Sequence, residues 1–138
     1  MVLEYHIDGG DFVNAGKASS AVKRVLKQLD VPAKRIKRVV IALYETEVNV
    51  VAHASNGEIE AVIEPERITL TVKDSGPGIP DIERAMLEGF TTASKEVREM
   101  GFGAGMGLAN IKRNSDDLHI ESIPGKGTIV RFTNDLRD

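Results

Sequence analysis

One stretch of the chain decides the fold, Glu45–His53, with the sequence ETEVNVVAH. Apolar residues recur around it at helical spacing, which predicts one long helix from about residue 32 to residue 54. Residues four apart stack on one face of a helix, so Glu45, Asn49 and His53 form a single polar line. A carboxylate, a carboxamide and an imidazole in this register suit a metal-bound polar ligand, because they offer a base, a metal-binding oxygen and an adjustable donor.

Glu47 lies off this line, on the apolar stripe of the same predicted helix. The C-terminal half of that helix is apolar on nearly all sides, so other elements are expected to cover it. A buried carboxylate without a partner would be costly. The sequence therefore predicts that a neighbouring cation or a helix N-terminus shields Glu47.

The composition is that of a soluble globular protein. The 138 residues are 41% hydrophobic and 28% charged and suit one domain over residues 1–138. The chain shows neither an apolar run of membrane-spanning length nor a signal peptide, which favours a cytoplasmic location. The absence of Cys excludes disulfides and thiolate metal sites. The net charge of −3 argues against nucleic-acid binding.

The remaining pattern predicts an α/β two-layer sandwich, with helices on one face of a mixed, mainly antiparallel sheet. The element order is β-α-α-β-β-α-α-β-β, with a loop over residues 73–80. Besides the central helix, helical spacing or flanking turns mark helices over residues 12–29, 81–88 and 108–114. Alternating apolar residues mark strands over residues 2–7, 58–64, 68–72, 118–120 and 128–132.

Two glycine-rich segments follow the central helix. Asp74–Gly78 comes directly after a strand, where it is either a plain turn or a place at which Asp accepts from an exocyclic amine while backbone approaches a flat ring. Residues 101–108, GFGAGMGL, place four alternating glycines before a helix, which favours a phosphate-binding loop. The Walker, dinucleotide-binding and eukaryotic-type kinase patterns are absent.

The side chains of the polar line suit different tasks. Asn49 fits Mg²⁺, which takes few protein oxygens together with phosphates and water. Glu45 could accept a proton from an attacking hydroxyl or water. His53 either contacts the ligand or serves as a structural hydrogen-bonding group. A basic cluster, Lys34–Arg38, is either a solvated helix face or a docking site for an acidic partner.

Four motifs follow one another along the chain: Glu45-x-x-x-Asn49, Asp74-x-Gly76-x-Gly78, Gly103-x-Gly105-x-Gly107-Leu108 and Gly127-Thr128. In this order they resemble the N, G1, G2 and final Gly-Thr boxes of the GHKL ATPase superfamily, whose ATP site is the Bergerat fold. The run GIPDIERAMLEGFTT over residues 78–92 and the short length narrow the resemblance to the small bacterial anti-sigma-factor and switch serine kinases, the SpoIIAB, RsbW and RsbT group. Tyr44, where a small residue is usual, and the extra acid Glu47 depart from the pattern.

The resemblance implies a histidine-kinase-like ATPase fold that uses ATP and Mg²⁺, with Asn49 as the Mg²⁺ ligand and Glu45 as the catalytic base. Asp74 would read the adenine amine, helped by Thr128 through water, and residues 91–102 would form the ATP lid. The other residues implied to contact the nucleotide are His53, Gly76, Gly78, Thr91, Thr92, Lys95, Arg98, Gly101, Gly103, Ala104, Gly105, Met106, Gly107 and Leu108.

The implied activity is that of an ATP·Mg-dependent serine/threonine protein kinase in a partner-switching system. Its phosphoacceptor would be a small antagonist protein, and a sigma factor or another downstream regulator would be a second partner. The related anti-sigma kinases also suggest a homodimer. Two alternatives stay open: a nucleotide-sensing binding module without catalysis, and a detached histidine-kinase catalytic domain whose acceptor is a histidine.

Overall fold

The computed structural model describes residues 1–78 and 107–137. In these residues five strands form one sheet, and three helices and a short 3-10 turn, Phe12–Asn14, complete the fold. The helices are α1 (Lys17–Gln28), α2 (Ala33–His53) and α3 (Gly107–Arg113). The strands are β1 (Val2–Asp8), β2 (Asn56–Ile63), β3 (Arg67–Ser75), β4 (Asp117–Ile123) and β5 (Gly127–Asp135). The predicted helix over residues 81–88 lies outside the described residues.

The sheet has the order β1-β2-β3-β5-β4, and all four pairings are antiparallel. Burial alternates along β3, where Ile68, Leu70 and Val72 are buried and the residues between them are more exposed. Phe132 of β5 pairs with Leu70 and is fully buried. One face of the sheet therefore carries the core, which confirms the predicted two-layer sandwich with helices on one face.

Helix α2 is the central element of the helical layer. Its 21 residues include buried side chains on most sides of its second half, as its nearly all-round apolar pattern predicts. Helix α1 packs against one side and α3 against another. The residues of α2 that are buried are Ile36, Val39, Ala42, Leu43, Thr46, Glu47, Val48, Val50 and Val51.

Four predicted boundaries were wrong by three residues or more, including the ends of β4 and β5, which extend to Ile123 and Asp135 rather than to residues 120 and 132. Helix α1 begins at Lys17 rather than at residue 12, because Gly16 has φ = 96° and separates the helix from the 3-10 turn. Strand β3 extends to Ser75 rather than ending before residue 73, because its antiparallel pairing with β2 continues to Asn56. Asp74 therefore lies on the last residues of a strand and not in a free loop.

Candidate functional site

The amide of Asn49 faces the start of α3. A Cβ atom on Gly107 would lie 3.0 Å from Oδ1 of Asn49, so a larger residue at this position would crowd the Asn49 amide. Within the described residues the Asn49 side chain makes no hydrogen bond. An amide held between two helices with its donors and acceptor unused is available to a ligand.

Glu45 is half-buried one turn earlier on α2, and its partner also comes from α3. Nδ2 of Asn110 donates to Oε1 of Glu45 over 3.3 Å. Nη1 of Arg113 donates to Oδ1 of Asn110 over 3.1 Å, which turns the amide nitrogen of Asn110 toward Glu45. Burial raises the pKa of Glu45, and the hydrogen bond from Asn110 opposes that rise. Glu45 therefore gives up its charge more readily than an exposed carboxylate.

The polar line ends at His53, in the last turn of α2. Burial lowers the pKa of His53, so the imidazole is neutral at pH 7. Within the described residues its ring makes no hydrogen bond. The structure thus places Glu45, Asn49 and His53 on the same helix face in the predicted order.

Asp74 forms the second part of the site, at the end of β3. The backbone N–H of Thr128 on β5 donates to Oδ1 of Asp74 over 3.1 Å, while Oδ2 has no hydrogen bond within the described residues. Burial raises the pKa of Asp74, and the Thr128 hydrogen bond opposes that rise. The hydroxyl of Thr128 lies 3.1 Å from that of Ser122 on β4. One oxygen of Asp74 is therefore fixed by the sheet, and the other is left for a ligand.

The two parts meet at the C-terminal end of α2. The backbone N–H of Ser55 donates to the carbonyl of Ser75 over 2.8 Å, which ties the residues after α2 to the end of β3. Gly76 lies against Ala54, and Gly78 lies against the backbone of Ile123 on β4. The candidate site therefore runs along α2, from Glu45 beside α3 to Asp74 beside the strand ends.

Glu47 lies on the opposite side of α2 and takes no part in this line. Its carboxylate is 2% exposed and accepts from the backbone N–H groups of Gly16, Ala18 and Ser19, at 2.9, 3.2 and 3.1 Å, and from the Ser19 hydroxyl at 2.6 Å. These are the free donors of the N-terminus of α1. The prediction that a helix N-terminus shields Glu47 is confirmed.

Other predicted site residues have different outcomes. The side chain of Leu108 is buried in the core at the start of α3. Asn110 is a site residue that the sequence reasoning missed; its position three residues after Gly107, on the same face of α3, was the available signal. The residues predicted to contact the nucleotide that lie outside the described ranges are Thr91, Thr92, Lys95, Arg98, Gly101, Gly103, Ala104, Gly105 and Met106.

Two kinds of feature are absent from residues 1–78 and 107–137. These residues hold no group of three or more His, Asp or Glu side chains that could hold a metal ion. They also include no helix that is both long and apolar enough to cross a membrane.

Comparison with known proteins defines the class. The model of the histidine kinase-like ATPase domain matches residues 11–134. The chain belongs to this family of ATP-binding folds.

Relatives and solved structures agree with the class. The chain is 38% identical over 125 residues to an anti-sigma F factor of Thermoanaerobacter sp. (strain X514), covering 87% of this chain and 84% of the relative. It is 31% identical over 119 residues to the serine/threonine-protein kinase RsbT of Bacillus subtilis (strain 168), covering 83% and 84%.

Two solved structures share the fold. The RsbU and RsbW domains of a Mycobacterium tuberculosis protein superpose with a TM-score of 0.60 at 17% identity, covering 96% of this chain and 33% of that longer chain. The mycobacterial sensor histidine kinase MprB superposes with a TM-score of 0.56 at 18% identity, covering 98% and 99%. The family match and these superpositions therefore agree on the fold.

Proposed function

We propose that this protein is an ATP·Mg-dependent serine/threonine protein kinase of a partner-switching system, acting in the cytoplasm on a small antagonist protein. One observation carries the proposal: Glu45 and Asn49 lie side by side against α3 with their polar atoms largely unused, in a chain of the ATPase family. The kinase and anti-sigma names of its relatives support the same choice.

Asp74 reads the base of the nucleotide in this proposal. Its Oδ1 is held by the backbone N–H of Thr128, which orients the carboxylate and leaves Oδ2 as an acceptor for the exocyclic amine of adenine. An amine donor on the ligand suits this acceptor, whereas the carbonyl that guanine carries at the equivalent position would face it with a second acceptor. Asp74 thereby selects ATP over GTP.

The donor set beside α3 fits Mg²⁺. Asn49 offers a carboxamide oxygen without a hydrogen bond in the described residues, and Mg²⁺ takes one or two such protein oxygens with the rest of its ligands from phosphates and water. Asn49 would hold the ion. When bound, Mg²⁺ neutralises charge on the phosphate oxygens.

Glu45 serves as the base. Its carboxylate accepts the proton of the serine or threonine hydroxyl, and Asn110 keeps that carboxylate oriented through a single hydrogen bond. Burial raises the pKa of Glu45, which brings its basicity closer to what proton transfer at neutral pH requires. The pairing of a half-buried acid with one weak partner thus suits a base better than a structural ion pair.

The decisive experiment follows radiolabel from γ-labelled ATP to a candidate antagonist protein encoded beside the gene. Wild type should transfer phosphate to an acid-stable serine or threonine ester, and Glu45→Gln should bind ATP but transfer almost none. Acid-labile phosphate on the acceptor would contradict the proposal and indicate a histidine acceptor. ATP at about 100 times its dissociation constant should add about 2.7 kcal/mol to the free energy of unfolding, and Asn49→Ala should abolish the Mg²⁺ dependence of that gain.

A nucleotide-sensing anti-sigma module without catalysis is the second candidate. The relatives named anti-sigma F factor, at 38% identity, favour it. ATP-dependent binding of a sigma factor by both wild type and Glu45→Gln, without label transfer by either, would support this function over the kinase.

A further inference from the structure

Charge is distributed very unevenly along the chain. Residues Lys17–Arg38, which form α1 and the first turns of α2, hold eight Lys and Arg residues and a single acid, Asp30, for a net charge of +7. The whole chain has a net charge of −3, so the remaining residues carry −10. The basic segment is therefore a local feature of a predominantly acidic molecule.

Two contacts fix how α1 and α2 face each other. Ser19 donates to Glu47 near the N-terminus of α1, and a Cβ on Gly16 would lie 3.2 Å from the ring of Tyr44. Lys23 and Lys27 follow Ser19 by one and two turns of α1, and the helix rotation carries them from the buried contact out to its exposed edge.

The facing row on α2 holds the second half of the surface. Lys37 lies two turns before Tyr44 on the same side of α2. The seam surface is defined here as Lys23, Lys27, Lys37 and Tyr44, along the solvent side of the α1–α2 contact.

The lysines of the seam surface are exposed and have no charged partner among the described residues. Within residues 1–78 and 107–137 none of Lys23, Lys27 and Lys37 forms an ion pair. Two arginines of α2 differ, since Arg38 pairs with Asp116 and Arg35 donates to the carbonyl of Arg137. Lys23, Lys27 and Lys37 are thus available to a partner protein.

An exposed aromatic residue borders these lysines. Tyr44 is 40% exposed although it lies in the middle of the central helix. It directly precedes Glu45, so the seam surface reaches the rim of the candidate site. Tyr is one of the residues enriched in protein interfaces and among their energetically dominant contacts.

We propose that the seam surface docks an acidic face of the phosphoacceptor protein, with Tyr44 as the apolar contact and the three lysines as its charged border. The inference rests on the proposed function, because a docked acceptor next to Tyr44 can present its hydroxyl to Glu45. A standard protein–protein interface buries about 800 Å² on each partner.

Extended polyanions fit the charge distribution less well. Exposed charges act over about 8 Å at physiological salt. Duplex DNA or an anionic membrane lying along the seam would extend past it onto the rest of the chain, and the residues outside Lys17–Arg38 carry −10 in total. A compact acidic protein avoids this repulsion.

Direct binding tests the proposal without relying on catalysis. The affinity of the candidate phosphoacceptor is measured by titration calorimetry with a non-hydrolysable ATP analogue, at low and at high salt. Lys23→Glu/Lys27→Glu is compared with Lys73→Glu/Lys126→Glu, which changes the net charge equally at exposed lysines away from the seam. We expect the seam variant to lose about tenfold or more in affinity and the control variant less than about twofold, with the ATP affinity of the seam variant unchanged.

Several outcomes would overturn the proposal. Equal losses in both variants would mean that net charge alone matters, and no loss in either, or no binding of the acceptor by wild type, would mean that the seam does not dock it. Tighter binding of duplex DNA or phosphatidylserine vesicles, reduced by the seam variant only, would assign the surface to those ligands. Seam-dependent acceptor binding without label transfer would leave the docking surface standing and reject the kinase, so the two failures are distinguishable.

Discussion

The two sides of α2 treat two carboxylates in opposite ways. Within residues 1–78 and 107–137, Glu47 faces α1 and accepts four hydrogen bonds, whereas Glu45, two residues earlier, faces α3 and accepts one hydrogen bond of 3.3 Å. Both acids lie on one helix within a stretch of five residues that ends at Asn49. A polar group that receives all its hydrogen-bond partners from the fold is structural. A polar group that keeps unused hydrogen-bonding capacity is where a ligand can bind.

The physical reason lies in what each neighbour offers. The N-terminus of α1 presents several free N–H groups and the positive end of the helix dipole, so it compensates the desolvation of Glu47 within the protein. Helix α3 offers Glu45 only the amide of Asn110, and it offers Asn49 a glycine without a side chain. On the side of α2 that faces α3, the described residues therefore leave hydrogen-bonding capacity of Glu45 and Asn49 unused.

The largest expected effect comes from Glu45→Gln. Loss of a general base reduces the phosphoryl-transfer rate by about 10²–10⁴-fold, while ATP affinity and the urea midpoint stay close to those of wild type. The matched control is Glu47→Gln, which changes an acid two residues away. A larger fall in transfer rate for Glu47→Gln than for Glu45→Gln, at equal folded fraction, would reverse the comparison between the two sides.

Removing Glu47 should act on stability instead. Glu47→Ala leaves the N–H groups of Ala18 and Ser19 buried without acceptors, which should lower the free energy of unfolding by about 2–4 kcal/mol. Urea denaturation measures the change, and ATP affinity per folded molecule should persist. A loss below about 1 kcal/mol would show that the cap contributes no more than an average hydrogen bond.

Asp74→Ala tests the far end of the site. Removing an acceptor to the adenine amine should weaken ATP binding by about 1.5–3 kcal/mol, roughly 10- to 100-fold. Binding of a fluorescent ATP analogue, competed with ATP and GTP, gives both affinities. The preference for ATP over GTP should shrink in the variant; an unchanged preference would remove Asp74 from base recognition.

Asn110→Ala gives the smallest expected effect and tests how the Asn110 hydrogen bond changes the pKa of Glu45. The Asn110 hydrogen bond lowers the pKa of Glu45 against the rise caused by burial, so its loss should raise that pKa further. The acidic limb of the rate–pH profile should therefore move to higher pH, with a rate loss at neutral pH of about tenfold or less. A limb that stays in place would show that another group sets it.

Much of the fold was readable from local patterns. The 3.6-residue period identified α2 to within a residue or two, and alternation in β3 identified the buried face of the sheet. The start of α1 was not readable, because the apolar spacing continues across Gly16 and only its positive φ shows the break. The end of β3 depended on pairing with β2, which a single strand's sequence does not report.

The candidate site likewise contains residues that the sequence predicts and residues that only the structure identifies. The polar line of Glu45, Asn49 and His53 follows from helix geometry alone, because all three belong to one element. Asn110 was missed because its role depends on how α3 is rotated against α2, and that rotation is set by packing. The unpaired lysines of the seam surface also became visible only when the arginines beside them were seen to have partners.

The sequence by itself determined which residues share a face, and it determined that Glu47 had to find a partner, since a lone buried carboxylate is too costly to keep. Only the tertiary structure decided that this partner is the N-terminus of α1, and that Glu45 is the acid that keeps unused acceptor positions. Local periodicity is a property of one helix, whereas the saturation of a polar group depends on what the neighbouring elements bring to it. The N-terminus of α1 completes one side of α2, and α3 leaves the other side for the nucleotide that the proposed function requires.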